Sequence, residues 1–276
     1  MALVFYKTES VLKWRLEELD AIIDEFDAAI EAAIKKIGPK EAHDYLNVIL
    51  GASGKSIVTF REIVILSAFG YPDGALSLAR NLYEQFILLS FFESKQEDHD
   101  FQTYIEDYFL HDEIQRLRAL KFEARACRDN TDDVTRIDNE LLVIGKKAHH
   151  EVKANDYWWS GFQSFAAIYD YVCNKNLSET GLKRWIGVLH FLYKRACISL
   201  HASALGNTIR LGDSKDSNVI DTSPRLEGMN IPLQLATVSF IFIVGITCRE
   251  LNIDFNLFQD RLNELAIFYQ SYDRRK

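Results

Sequence analysis

Apolar side chains recur early in the chain at Leu12, Leu16, Leu19, Ile23, Phe26, Ile30, Ile34 and Ile37, in steps that mostly alternate between four and three. That is the period of an α-helix with one buried stripe, so the spacing predicts a long amphipathic helix from Glu9 to Ile37. Gly38-Pro39 ends it and opens the next, because Gly suits the position after a helix and Pro its first turn. A second helix runs to about Phe69. Gly70-Tyr71-Pro72-Asp73-Gly74 turns the chain into a third, from Gly74 to Phe92, and the three form an antiparallel bundle.

A charged link, Glu93–Asp100, precedes a helix from Phe101 to about Ala126. After the polar break at Arg128–Asp133, helix resumes to about Ala148. His149–Gly161, with His149-His150-Glu151 and Trp158-Trp159, reads as an irregular, partly buried connection or a mobile lid. A short helix over Phe162–Cys173 follows, and Ser178 suits the N-cap of an amphipathic helix within Leu182–Asn207. The polar stretch Thr208–Asn230 reads as the longest loop, before helices at Pro232–Leu251 and Asn256–Tyr272. The pattern predicts an all-α, multi-helix antiparallel bundle, read as one domain over residues 1–276. Its long N-terminal helices (9–69) lie on a motif-bearing bundle (70–272).

Composition agrees with that class. Of 276 residues, 48% are hydrophobic, enough for a large core, while 13 Gly and 4 Pro leave little material for the turns of a β protein. Cys127, Cys173, Cys197 and Cys248 lie far apart in apolar patterns and form no Cys-x-x-Cys pair, as expected of buried thiols in a reducing compartment. The first residues show no basic leader with an apolar core, so a cytoplasmic location is expected. Ile231–Cys248 is nearly uncharged. Gln234, Thr237, Ser239 and Thr247 interrupt it, which favours the central helix of a soluble bundle over a membrane span. The net charge of −8 argues against broad affinity for nucleic acid, though not against a small basic cleft.

Several constellations bear on chemistry. Gly51-Ala-Ser-Gly54-Lys55-Ser56 imitates a phosphate-binding loop but lacks the first glycine and the preceding strand, so it reads as helix interior. No Glu-x-x-His pairs of the di-metal type occur, and His149-His150, with His111 or His99, read as surface histidines; neither a metal nor a cofactor is expected. Arg80 and Glu84 stand at i and i+4, either as an exposed ion pair or as part of a cleft. Arg195 and His201 are the sharpest signal, because a histidine moves protons near neutral pH and an arginine grips phosphate oxygens. On one helix they would be rotated by about 120° and separated by about 9 Å, too far to clamp one phosphate alone. Two protomers facing each other across a two-fold axis would bring such pairs together. Tyr193, Cys197 and His201 share a face, so Tyr193 is placed to position the imidazole.

The combination Gly70…Ala75-Leu-x-Leu-Ala-Arg80-x-Leu-x-Glu84, followed by Tyr193-x5-Ser199-x-His201-x-Ser203, resembles the bacterial helical family called domain of unknown function 5677, over roughly Ile57–Leu205. That resemblance implies an all-α cytoplasmic protein and no established reaction. Arg195-x5-His201 is also similar to the Arg-x4-6-His signature of the HEPN superfamily, whose helical, usually dimeric members are often metal-independent RNases of toxin–antitoxin and antiphage systems. What this likeness implies is that His201 acts as general acid/base, Arg195 stabilises the pentacoordinate phosphate, and Glu84 is an acidic helper. Arg80, Tyr193, Ser199 and Ser203 would orient the substrate. Ala196 and the position of the motif deep in its helix depart from that pattern. The expected partners are therefore RNA, a second copy of the chain, and a protein of a defence or toxin–antitoxin system. A noncatalytic interaction module is one alternative. A nucleotide or small-ligand sensor, with Arg80, Arg195 and Trp158-Trp159 lining a pocket, is another.

Overall fold

The computed structural model describes residues 10–37, 44–127, 131–176, 180–200 and 228–271. Among them are nine α-helices, one short 3-10 turn and no strand. The helices are α1 (Ser10–Ile34), α2 (Asp44–Ala68), α3 (Pro72–Lys95), α4 (Phe101–Cys127), α5 (Thr131–Gly145), α6 (Phe165–Asn176), α7 (Thr180–Leu200), α8 (Asn230–Glu250) and α9 (Asn256–Ser271), with a 3-10 turn at Trp158–Ser160. The all-α class expected from periodicity is thus correct, and most predicted ends fall within a few residues. The predicted Gly38-Pro39 break, the Ser178 cap and most of the Thr208–Asn230 loop lie outside the described residues.

Two helix ends show why the chain turns where it does. At the end of α2, Gly70 adopts φ 80°, the Gly70 amide donates to Ser67 O (3.2 Å) and the Tyr71 amide to Leu66 O (2.9 Å). This is the Schellman arrangement, and glycine meets its left-handed position without Cβ strain. At the end of α8, Asn252 (φ 53°) takes the same role, with Asn252 N on Arg249 O (3.3 Å) and Ile253 N on Cys248 O (2.8 Å). Asn is the side chain that best tolerates that conformation after glycine.

The chain divides into two compact units, residues 1–89 with 178–276, and residues 90–177; the division falls within α3. In the first unit α8 is central, touching α2, α7 and α9, while α1 packs on α2 and α9. Phe240 of α8 meets Phe26 of α1 edge-on (5.6 Å between centroids) and Phe60 of α2 (4.6 Å), and Phe86 of α3 stacks on Phe242 (4.5 Å). Where α2 and α8 approach, the Ser53 and Thr247 hydroxyls lie 2.7 Å apart and each lies within 2.8 Å of the carbonyl oxygen four residues back, so one hydroxyl donates across the contact and the other donates to its own helix. Small polar residues therefore line this contact without losing hydrogen bonds. Ser53 and Ser56, from the stretch that imitates a phosphate loop, are both buried in α2, as expected of helix interior. α8 is long and apolar enough to span a membrane, yet 78% of its most apolar stretch is buried inside the protein.

In the second unit α4 and α5 form a hairpin and α4 carries the 3-10 turn. Trp158 and Trp159 are each 2% exposed. Trp159 stacks on Phe92 (5.3 Å) and meets Tyr108 and Phe91 edge-on (4.9 and 5.7 Å). The tryptophan segment is thus a core element of this unit and not a lid.

Candidate functional site

Arg80 and Glu84 lie one turn apart on α3, which Pro72 begins directly after the Schellman turn. Glu84 Oε1 accepts from Arg80 Nε (3.1 Å) and lies 2.9 Å from Arg80 Nη2. Tyr193 of α7 donates its hydroxyl to the same oxygen at 2.9 Å. The Arg80 guanidinium also lies 5.7 Å from the Tyr193 ring centroid. With side-chain exposures of 31% and 22%, Arg80 and Glu84 form a half-buried cluster, not the solvated ion pair that helical spacing alone permits.

Burial disfavours the Arg80 charge, but Glu84, the Tyr193 hydroxyl and the nearby Cys197 outweigh it and hold the guanidinium more firmly protonated than usual. Burial, then the Glu84 carboxylate, push the Tyr193 hydroxyl far above its ordinary value. Tyr193 is therefore a fixed donor and not an acid at physiological pH. An aromatic wall backs the cluster. Tyr83 lies 5.0 Å from Tyr193, His190 stacks on Tyr193 (5.7 Å), and the Tyr83 hydroxyl shares a 3.3 Å hydrogen bond with His190 Nδ1. Four successive residues of α3 so reach three helices: Tyr83 and Glu84 face α7, Gln85 accepts from Ser56 of α2 (2.6 Å), and Phe86 meets α8.

Of the residues singled out from sequence, the structure brings together Arg80, Glu84 and Tyr193. Arg195 stands apart from them: two residues beyond Tyr193 and so about 160° round the helix, it is exposed, on a face it shares with exposed Val188 (39%), Phe191 (64%) and Ile198 (43%). It is the sixteenth residue of α7, well inside the helix as expected. His201 and Ser203, and the side chain of Ser199, lie outside the described residues. Trp158 and Trp159 are enclosed in the second unit's core. Sequence reading missed Tyr83 and His190. Helical spacing could have found both, since Tyr83 stands three residues after Arg80 on α3 and His190 three residues before Tyr193 on α7.

The second unit holds another group of polar residues. Asp107, fully buried on α4, accepts His149 N (2.9 Å) on Oδ1, and His150 N (2.8 Å) and His150 Nδ1 (2.7 Å) on Oδ2. His149 Nε2 pairs with the neighbouring Glu106 at 2.7 Å, which holds that carboxyl below its usual range. The expectation of two surface histidines is thereby corrected for His150, because a buried carboxylate needs its donors close at hand. The signal in sequence is a carboxylate at a core position, on the stripe Tyr104, Asp107, His111, Ile114. Among the described residues no group of three or more histidine, cysteine or carboxylate side chains is arranged to hold a metal. Among the described residues Cys173, Cys197 and Cys248 form no disulfide. Cys173 and Cys197 are half-buried, and burial pushes the Cys248 thiol up to about 12.

The model of one family, described as Family of unknown function (DUF5677), matches residues 46–218. The chain belongs to this family. The matched span runs from α2 through α7 and includes Arg80, Glu84, Tyr193, Arg195 and His201. No curated protein and no solved structure matches the chain.

Proposed function

We propose that this DUF5677 protein is a HEPN-like, metal-independent RNA endonuclease of bacterial defence or stress response, working in the cytoplasm as a homodimer. The observation that carries the reading is the hydrogen bond from Tyr193 to Glu84, which ties α7, the helix of Arg195, to the Arg80/Glu84 pair 109 residues away in sequence. In this reading His201 moves the proton of the attacking 2′-hydroxyl and Arg195 offsets the charge on the phosphorane. Glu84, held by Arg80 and Tyr193, fixes the attitude of α7, and Ser199 and Ser203 contact the RNA. The exposed position of Arg195, away from the Glu84 cluster, favours a composite site in which two copies each supply an Arg195 and a His201. RNA cleavage in EDTA, wild type against His201→Ala over transfer, messenger and total RNA, tests it. Cleavage lost in a folded variant supports acid/base chemistry at His201. Unchanged cleavage overturns it.

A second reading is a noncatalytic interaction module that binds a partner or neutralises a toxin. It is favoured by the apolar row Val188, Phe191 and Ile198 exposed on α7. Loss of a partner on Phe191→Glu, with no cleavage by wild type, supports that reading over the first.

A further inference from the structure

The polar group in the second unit has the layout of an oriented imidazole. Both oxygens of the buried Asp107 carboxylate are occupied by N–H donors from His149 and His150. Because the carboxylate accepts, His150 Nδ1 carries a proton, and in the neutral ring Nε2 presents its lone pair. The ring lies against Tyr104, with centroids 5.0 Å apart and planes tilted by 31°, which limits its rotation. Its side chain keeps 26% of its surface, and Nε2 has no hydrogen-bond partner among the described residues. Gly161 (φ 76°) sits beside that edge, where a Cβ would lie in ordinary van der Waals contact, 3.6 Å from both Nε2 and Cδ2. A base, a buried carboxylate that orients it and a second ring nitrogen left without a hydrogen-bond partner among the described residues together form the arrangement that activates a histidine.

We propose that His150 Nε2 is the nucleophile of a second site, one that accepts acyl groups from neutral activated esters. The carboxylates of Glu106 and Asp107 disfavour anionic donors here, which is why a neutral ester is the class favoured over a phosphoryl donor. Nε2 forms a bond to the acyl carbon, the ester carbon–oxygen bond breaks, and the leaving oxygen takes its electron pair and then a proton from water. The acylimidazolium keeps its Nδ1 proton on Asp107. Water then adds at the acyl carbon and gives one proton to the hydroxide left by the first step, the carboxylic acid departs, and Nε2 regains its lone pair. Asp107 is the positioning residue.

Two measurements test the site. Nitrogen-15 NMR of the wild-type protein reads the tautomer directly, with the proton expected on Nδ1; a proton on Nε2 overturns the proposal with no variant needed. Incubation with p-nitrophenyl acetate, followed by peptide mass spectrometry, should place the acetyl group on His150 at least tenfold faster than on His149, whose Nε2 is engaged by Glu106. His150→Gln should remove the adduct. Asp107→Asn, where its circular dichroism matches wild type, should slow it at least tenfold. Equal labelling of His149 and His150, or an unchanged rate in folded Asp107→Asn, would reduce Asp107–His150 to a structural clasp.

Discussion

Asp107→Asn removes one charge and almost no volume from a position with no solvent exposure. The carboxylate accepts three N–H groups at 2.7–2.9 Å, all from the two residues His149 and His150. An asparagine keeps one acceptor oxygen and turns an amide NH2 toward an N–H that needs an acceptor. One or two charge-assisted hydrogen bonds are lost, and at least one buried donor is left unpaired. Returning less charge from the interior offsets part of this, because a buried carboxylate carries a desolvation penalty. The net expectation is a loss of about 2–4 kcal/mol, with Asp107→Ala at the upper end or beyond. Tryptophan fluorescence in a urea titration reads the effect where it arises, since Trp158 and Trp159 are 2% exposed in the core of the same unit, whereas Trp14 is 55% exposed. Hydrogen exchange at the His149 and His150 amides should accelerate in parallel. Glu106→Gln is the control: its pair with His149 is about half exposed, so it should cost under about 1 kcal/mol. A midpoint unchanged by Asp107→Asn, with both amides still protected, would refute the view that this carboxylate fastens the connection to α4.

Three other outcomes follow from the same geometry. In a double-mutant cycle, Tyr193→Phe and Glu84→Gln should show a coupling of about 0.5–1.5 kcal/mol in thermal unfolding, whereas additive losses would mean the 2.9 Å contact contributes nothing. Burial, with Arg118 adding to it and Asp112 and Asp156 opposing, lowers the affinity of His111 for a proton in the folded chain. The unfolded chain therefore binds that proton first, so stability is fully present above the ordinary histidine value of about 6.5 and declines as pH falls below it toward the lowered value. A urea series from pH 8 to 5 should show this decline, and it should flatten in His111→Gln. At the α2–α8 contact, Ser53→Ala should cost about 1 kcal/mol or less through the hydroxyl pair with Thr247. Ser53→Leu should cost more, about 1–3 kcal/mol, by overpacking two helices that meet through small side chains; a tolerated leucine would show that the contact is loose.

How far each feature was legible depends on the distance over which its cause acts. The stripe from Leu12 to Ile30 and the Gly70 turn are set by neighbours three to five residues away, and both appear in the structure close to where the sequence puts them. The same local rule places Arg80 on the face of Glu84, but it leaves open whether water or protein covers that face. The answer comes from Tyr193, 109 residues on, whose contact with Glu84 depends on which helices are neighbours. His150 shows the limit more sharply. Two adjacent histidines in a polar connection look like solvent-facing residues, because nothing near them is apolar enough to demand burial. What fixes His150 is Asp107, 43 residues earlier, a carboxylate on a stripe otherwise turned to the core. Such a carboxylate must find donors, and donors this numerous are supplied by a backbone turn more readily than by a helix, whose amides are already committed. A charged residue at a core position of a predicted helix thus points to an irregular segment elsewhere in the chain, and the segment to look for is one with consecutive free amides and a side-chain donor, as His149-His150 provides.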